Sequence, residues 1–340
     1  MPNSRTTLAA AASVAALAAT AIGVHASAQR AEHKHPPQGR FVEAKGVRLH
    51  YIEAGHGGPP VVLLHGNAVT AEDWAASGVF ARIAEHRRVF AFDRPGYGYS
   101  ERPRGLWTAS RQADVLAEAF GELGIERAVV VGHSWGTLAA IALALDHPDA
   151  VSGLVLASGY HFPTARADVV AFSPPAIPLL GDILRYTVSP LVGRLVAPKM
   201  IKTMFAPAPV PAPFTDAVPI SMMLRPSQIR ASAEDAATMT PRAAAARRRY
   251  SELTRLPITI LAGAEDQVVD AERQSARLHE VLPHSNLRIA SGLGHMIHHG
   301  APGMFADAVE AVAALTRPLA EVRRGPPSAE TAGALLAHTA

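Results

Sequence analysis

The 340-residue sequence contains no cysteine. This excludes a disulfide framework, a thiolate nucleophile and thiolate metal ligands. Charge is also sparse, because only 18% of the residues are Asp, Glu, Lys or Arg and the formal net charge is +3. Nucleic-acid binding needs a concentrated basic surface, and the one basic cluster, Arg247-Arg248-Arg249, is interpreted as a solvated helix face. The composition, 49% hydrophobic, favours one large domain with an insertion, and no nucleic-acid partner is expected.

The N-terminus has the order of a secretory signal. Arg5 precedes an alanine-rich apolar stretch at 8–24, and Ala26-Ser27-Ala28 offers an A-x-A cleavage site. We therefore predict a signal peptide at 1–28, a linker at 29–39, and export to the periplasm or the medium. The apolar stretch is short and weakly hydrophobic for a membrane span, so no stable span is expected after cleavage. The alternative is an uncleaved N-terminal anchor.

Short apolar runs recur along the chain and predict strands. They lie at 40–44, 47–52, 61–64, 89–92, 128–131, 154–156, 258–261 and 287–290. Most are apolar on both faces and alternate with helix-compatible stretches, which is typical of a parallel sheet covered on both sides. We predict an α/β fold with a mostly parallel eight-stranded sheet flanked by helices, formed by residues 40–158 and 257–317.

The series of strands is interrupted at 159–256, which we interpret as an inserted helical cap. Its prolines are expected to divide it into short elements, because proline is poorly tolerated inside a helix; they are Pro174, Pro175, Pro178, Pro207, Pro209, Pro211 and Pro213. An insertion that only stabilises the sheet edge is the alternative. Residues 318–340 lack a strong apolar period and predict a surface helix or a loose tail.

One serine lies at a predicted strand–turn–helix junction. Gly132-His133-Ser134-Trp135-Gly136 follows the apolar run at 128–131 and precedes a helix-prone run at 137–143. This is the nucleophile elbow G-x-S-x-G in the structural context that it requires. Ser134 is therefore the candidate nucleophile.

A serine hydroxyl needs an imidazole as base and a carboxylate that orients the imidazole. Asp266 follows the predicted strand at 258–261, and His295 follows the one at 287–290. Both positions lie at the carboxyl edge of the sheet, as does Ser134, so we expect the three side chains to meet. Glu265 is the alternative acid.

Five elements occur in the order typical of a known family. They are His65-Gly66-Asn67, the segment Asp93-Arg94-Pro95-Gly96-Tyr97-Gly98, the elbow at Ser134, Asp266 and His295. On these motifs the chain, from about residue 42 to residue 315, resembles the α/β-hydrolase family, in particular a serine member with a helical cap. The resemblance implies a triad of Ser134, His295 and Asp266, and an oxyanion hole formed by the backbone amides of Asn67 and Trp135. It implies no cofactor; for Asn67, a simple turn role is the alternative.

The other histidines of these motifs are interpreted as structural. His65 and His133 stand where the family commonly has histidine for packing and loop hydrogen bonding. His298 and His299 suggest a metal site with His295, but no acidic partner motif accompanies them. We expect no metal, and predict that His298 and His299 either support the site or lie at the surface.

The pairing of Asn67 with Trp135 is also similar to haloalkane dehalogenases and their epoxide-hydrolase relatives. Those enzymes attack with an aspartate, whereas a serine attacking an alkyl halide would form a stable ether. The sequence therefore favours an acyl-enzyme on Ser134.

The preferred function is hydrolysis of a carboxylic ester of a small to medium apolar substrate. Six cap side chains would form an apolar wall, or ordinary cap core: Met200, Met204, Phe205, Met222, Met223 and Leu224. An amide hydrolase similar to proline iminopeptidases needs an acidic pocket, for which we find no carboxylate cluster. A carbon–carbon bond hydrolase, a perhydrolase side activity and a non-enzymatic receptor for apolar ligands remain alternatives. The expected partner is a small-molecule substrate, and the sequence does not indicate an oligomeric state.

Overall fold

One eight-stranded sheet organises the computed structural model, which describes residues 4–316 apart from the side chains of residues 4–7, 10, 167 and 168. Its strands are β1 (Arg40–Ala44), β2 (Val47–Ala54), β3 (Val61–Leu64), β4 (Val89–Phe92), β5 (Ala128–His133), β6 (Val151–Ala157), β7 (Ile258–Gly263) and β8 (Asn286–Ala290). They lie in the order β1-β2-β4-β3-β5-β6-β7-β8. β2 pairs antiparallel with β1 and β4, and the remaining pairs are parallel. The predicted fold class is confirmed, and every predicted strand is present.

The helices are mostly short. They are α1 (Ser4–Lys34), α2 (Glu72–Ala76), α3 (Val79–Ala84), α4 (Ala109–Glu122), α5 (Gly136–Asp146), α6 (Ala167–Phe172), α7 (Leu180–Tyr186), α8 (Val188–Phe205), α9 (Ala212–Ala217), α10 (Ile220–Met223), α11 (Pro226–Arg247), α12 (Arg277–Val281), α13 (Ile297–Gly300) and α14 (Pro302–Ala314). Short 3-10 helices occupy Pro148–Ala150, Pro174–Ala176 and Tyr250–Leu253, and a π-helical turn occupies Glu272–Ala276.

The apolar core has two layers, one on each face of the sheet. Side chains alternate between the faces along a strand, so Val62 and Leu64 of β3 join the layer that contains α4 and α5. Val61 and Leu63 join the layer that contains α3 and α14. Because both faces are covered, β3 to β6 consist of buried residues throughout.

Between β6 and β7 the regular elements are helical, α6 to α11 together with two 3-10 helices. Several of the expected prolines lie between helices, namely Pro178, Pro207, Pro209 and Pro211. However, α8 continues through Pro198 and α11 through Pro241. Both prolines are exposed, and these helices pack through other residues, among them Ile201 of α8 and Ala243 of α11.

The N-terminal helix α1 runs through Ala28, the predicted cleavage point, and ends at Lys34 inside the predicted linker. Its segment Ala11–Lys34 is long and apolar enough to cross a membrane, with a mean hydropathy of 1.5, a property that signal sequences and anchors share. Cleavage and export remain predictions. The predicted C-terminal tail, 318–340, lies outside the described residues.

Candidate active site

Ser134 lies at the sharp turn between β5 and α5. Its φ is 51°, in the left-handed region that a residue with a side chain rarely adopts. Its backbone N–H donates to the carbonyl of Ala157, at 2.8 Å, which ties the turn to β6. A Cβ at Gly132 would lie 2.7 Å from the carbonyl oxygen of Gly136, and a Cβ at Gly136 would lie 2.7 Å from that of His65. Because neighbouring backbone approaches so closely, both positions require glycine.

An unbroken hydrogen-bond chain links the three predicted catalytic side chains. His295 Nε2 lies 2.9 Å from Ser134 Oγ, and His295 Nδ1 lies 2.8 Å from Asp266 Oδ2. Asp266 Oδ1 also accepts from the backbone amides of Val268 and Val269, at 2.7 and 2.8 Å. These donors orient the carboxylate and stabilise its charge. The arrangement is that of a nucleophile, a base and the group that orients the base.

The parallel sheet explains why residues so distant in sequence meet. Ser134 follows β5, Asp266 follows β7 and His295 follows β8, and the carboxyl ends of these parallel strands lie at one edge. Glu265, the alternative acid, is exposed, whereas the Asp266 side chain is almost fully buried against His295. The geometry therefore favours Asp266.

The two candidate oxyanion amides lie on the loops that flank Ser134. Among residues 4–316, the backbone N–H groups of Asn67 and Trp135 donate to no protein acceptor. Gly66 packs tightly on the elbow, since a Cβ there would lie 3.1 Å from Ser134 Cβ. The loop after β3 is thus held against the nucleophile, as a two-amide oxyanion hole requires.

The side chains of Asn67 and Trp135 are engaged by cap helix α11. Asn67 Nδ2 donates to the carbonyl of Ser232 at 3.2 Å, and the Trp135 indole N–H donates to the carbonyl of Asp235 at 2.9 Å. Asn67 Oδ1 accepts from Ala68 N and from the Ser232 hydroxyl. These N–H groups are therefore committed to the cap and are not directed at a ligand.

A buried ion pair, which the sequence analysis did not identify, connects α11 to the oxyanion loop, the loop that follows β3 and carries Asn67. Arg94 and Asp235 are both fully buried, and Arg94 Nη1 lies 2.6 Å from Asp235 Oδ2. Arg94 also donates to the carbonyls of His65 and Gly66, at 2.8 and 3.0 Å, and its guanidinium lies 4.4 Å from the centroid of the Trp135 ring. The pair was missed because no sequence spacing connects a helix residue of the cap with a loop residue of the core.

His65 and His133 serve as structural hydrogen-bonding groups. His65 Nδ1 donates to the carbonyl of Gly66, and its Nε2 accepts from the amide of Arg94. Burial and the neighbouring Arg94 charge lower the pKa of His65 to about 4. His133 Nε2 donates to the carbonyl of His295 at 3.0 Å, and burial holds the pKa of His133 well below its usual range. Both imidazoles are therefore neutral at pH 7, in agreement with a packing role.

His298 and His299 lie inside the protein, so the part of the prediction that allowed them a surface position is wrong. Their Nε2 atoms donate to the two carboxylate oxygens of Asp73, at 2.9 and 2.8 Å. Burial favours protonation of Asp73, but attraction and hydrogen bonds from both histidines outweigh it and hold the pKa of Asp73 below its usual range. Asp73 is the acidic partner that the sequence pattern did not reveal.

Asp73, His298 and His299 could also hold a metal ion, because one ligand atom of each lies within 4.8 Å of the others. Among the described residues, 4–316, this is the group that meets that distance criterion. Each Nε2 already pairs with one carboxylate oxygen, whereas the buried His298 Nδ1 has no hydrogen-bond partner among the described residues. His298 and His299 belong to α13, the helix that follows His295, and Asp73 belongs to α2. The hydrogen bonds therefore hold α13 against α2.

An apolar cluster joins the cap to the catalytic loops. Val69, two residues after Asn67, and Met296, next to His295, pack with side chains of the cap: Ile201, Phe205, Phe214, Val218 and Met223. Met204 packs against this cluster, and its carbonyl accepts from the Met296 amide at 3.2 Å. Of the six predicted wall residues, Phe205 and Met223 belong to this cluster and Met204 packs against it. Met200 is exposed.

Comparison with known proteins places these features in a family context. Residues 59–177, which include Asn67 and Ser134, match the family described as alpha/beta hydrolase fold. An uncharacterised protein of Mycobacterium bovis is 28% identical over 298 residues, covering 83% of both chains. A haloalkane dehalogenase of the same species is 31% identical over 140 residues, 41% of this chain and 48% of the relative.

A likeness of fold extends further along the chain. The structure of a thermophilic esterase from Thermogutta terrifontis superposes with a TM-score of 0.66, at 22% identity, over 82% of this chain and all of the esterase chain. This likeness concerns the fold, since identity at that level does not carry over substrate or mechanism.

Proposed function

We propose that this chain, which has the α/β-hydrolase fold, is a hydrolase that cleaves a carboxylic ester of a small to medium apolar substrate through an acyl-enzyme on Ser134. The observation that carries the proposal is the unbroken chain from Ser134 Oγ through His295 to Asp266, at 2.9 and 2.8 Å.

The first half of the reaction forms the acyl-enzyme. Ser134 Oγ attacks the ester carbonyl carbon while its proton passes to His295 Nε2, and Asp266 stabilises the resulting imidazolium. The amides of Asn67 and Trp135 hold the negative oxygen of the tetrahedral intermediate, and one such donor contributes about 3 kcal/mol to the transition state. The C–O bond then breaks, and the proton on His295 moves to the leaving alcohol.

The second half releases the acid. A water molecule gives its proton to His295 Nε2 as its oxygen attacks the acyl carbon. The second intermediate collapses when the bond to Ser134 Oγ breaks and that oxygen recovers the proton from His295. One ester and one water yield one alcohol and one carboxylic acid, and Ser134 is restored.

Two further observations narrow the reaction class. A halide site built from Asn67 and Trp135 is disfavoured, because both side-chain N–H groups donate to carbonyls of α11. An aminopeptidase needs a free carboxylate for the substrate's amino terminus, but Asp235 is paired with Arg94 and Arg102, and its neighbour Glu234 is paired too. The apolar cap cluster instead supports an apolar acyl or alcohol group.

We also propose that the chain is exported, with α1 as the targeting helix, since Arg5, the apolar stretch and the small residues at 26–28 have the order of an export signal. Detection of the protein in the cytosolic fraction alone would contradict this.

The test of the reaction is hydrolysis of p-nitrophenyl esters of increasing acyl length by wild type, Ser134→Ala and His295→Ala. Ser152→Ala is the matched control, because Ser152 is also buried but lies in β6. Turnover lost in the first two variants and kept in the control would support the proposal. Turnover that survives Ser134→Ala contradicts it, as does a wild type that cleaves only prolyl amides or a diketone.

A further inference from the structure

Large apolar side chains are exposed on one part of the cap. Of the twenty such side chains exposed in the described part of the chain, eleven lie between Val170 and Met200, and four more lie on α1. Scattered exposed apolar residues are ordinary, but a concentration of this kind marks a surface that contacts something apolar.

Helix α8 presents an apolar stripe to solvent. Val188, Leu191, Val192 and Leu195 follow the i, i+3, i+4, i+7 spacing of one helix face, and they are 48, 52, 47 and 83% exposed. The opposite side of the helix is packed: Pro190 and Ile201 are buried, and a Cβ at Gly193 would collide with Leu224. The stripe is therefore the solvent-facing side of a helix whose opposite side packs against the rest of the cap.

The charged residues of α8 itself are of one sign. Lys199 and Lys202 continue the stripe at the same helical spacing, seven residues after Val192 and Leu195, and both are exposed. From residue 183 to residue 215 the sequence has four Lys or Arg residues and no Asp or Glu. Apolar residues flanked by lysines are typical of helices that lie at the surface of an anionic membrane.

Helix α1 lies beside this stripe. Ser27 Oγ accepts from Arg194 Nη2 at 3.1 Å, and residues of both helices, among them Val24 and Leu191, line a groove of about 400 Å³. Glu32 is paired with Arg225 at 2.9 Å. From Thr20 onward, one side of α1 is thus docked on the cap. Leu8, Val14 and Leu17, in the N-terminal part of α1, and Ile22, on the outer side of the docked part, are exposed.

We propose that α1 is retained, as in the uncleaved alternative to a signal peptide, and that its exposed N-terminal part, residues 8–19, forms one surface with the exposed faces of α7 and α8. This surface docks on an anionic lipid membrane. The part of α1 that precedes its docked part, residues 8–19, would be about 18 Å long at 1.5 Å per residue. The hydrocarbon core is about 30 Å thick, and the rest of the span-length segment Ala11–Lys34 is docked on the cap. The free part of α1 is therefore too short to span the bilayer.

The attachment would place the substrate route beside the lipid. The same helix α8 that carries the stripe ends at Phe205, which packs in the apolar cluster with Met296, next to His295. A docked cap would therefore bring the apolar cluster beside His295 close to a source of apolar substrates.

The test is flotation of the full chain on vesicles of phosphatidylcholine with phosphatidylglycerol. Val192→Asp/Leu195→Asp places two charges in the stripe. Val281→Asp/Leu315→Asp is the matched control, since these residues are 47 and 70% exposed but lie on α12 and after α14. Thermal melting shows that each variant is folded, independently of any catalytic assay.

The wild type and the control are expected to float, and the stripe variant to bind roughly tenfold or more weakly, because charged side chains are poorly accommodated at the acyl boundary. Binding should also weaken on pure phosphatidylcholine. Equal flotation of all three proteins would overturn the proposal by assigning binding to α1 alone. Absence of flotation would also overturn it, and a dimer that the stripe variant dissociates would then identify a second copy as the occupant.

Discussion

Removing the charge of Asp235 is expected to destabilise the whole protein. Asp235→Asn keeps the shape of the side chain but leaves Arg94 in a fully buried site without its carboxylate, which lies 2.6 Å away. Breaking one partner of a buried ion pair costs about 3–5 kcal/mol, because the remaining charge is uncompensated. The neighbouring variant Glu234→Gln is the matched control, since Glu234 is partly exposed and pairs with Arg102 and Arg230. We expect it to cost about 1 kcal/mol or less.

The same substitution should affect catalysis, because Arg94 holds the carbonyls of His65 and Gly66 in the oxyanion loop. A displaced loop moves the Asn67 amide away from the oxyanion. We expect kcat for a p-nitrophenyl ester to fall roughly 10- to 100-fold with a smaller change in KM.

The assay is urea unfolding of wild type, Asp235→Asn and Glu234→Gln under identical conditions, followed by steady-state kinetics well below each transition. The reasoning would be refuted if Asp235→Asn lost less than about 1 kcal/mol, or if both variants lost the same amount. The double variant Arg94→Met/Asp235→Leu should recover part of the stability, because it removes both charges of this pair and Arg102 keeps Glu234 as a partner. Recovery is incomplete because the loop carbonyls that Arg94 bonds and one side of Arg102 lose their partners.

Three further outcomes are expected. Asp266→Asn should lower kcat for ester hydrolysis by about 10³- to 10⁴-fold without unfolding the protein, because His295 then loses its orienting acceptor; a loss under tenfold in the same assay would contradict the triad. Burial lowers the pKa of His161 to about 3, so between there and about pH 6.5 only the unfolded chain is protonated and stability falls as pH falls. Urea unfolding from pH 7.5 to pH 5 should therefore show wild type losing about 2 kcal/mol more than His161→Leu, and equal losses would refute this. Gly136→Ala should destabilise by about 2 kcal/mol or more in thermal or urea unfolding, since its Cβ would meet backbone oxygens, whereas Gly121→Ala, with open space, should be neutral or slightly stabilising.

The strands and the order of the three catalytic candidates could be read from the sequence, because both are local patterns. β3 to β7 are short apolar runs that are buried on both faces. Ser134 and Asp266 follow two of these runs, and His295 follows β8, an apolar run at the edge of the sheet. Parallel pairing then brings the carboxyl ends of these strands to one edge without further information. The family resemblance added Asn67 and Trp135 to the same edge.

Helix continuity was less predictable where local propensity and packing disagree. Proline disfavours a helix interior, yet α8 continues through Pro198 and α11 through Pro241, two prolines at which no break is predicted. The local cost of a proline is a few kcal/mol, and contacts with neighbouring elements can outweigh it.

The sequence by itself determined the sheet, the nucleophile elbow and the succession Ser134, Asp266, His295, because hydrophobic periodicity and turn chemistry act over a few residues. Only the tertiary structure decided that Asp235 pairs with Arg94, that Asp73 receives His298 and His299, and that α1 lies beside an exposed stripe on α8. Each of these contacts joins residues separated by more than a hundred positions. Charge pairing and burial depend on distance in space, which spacing along the chain does not encode.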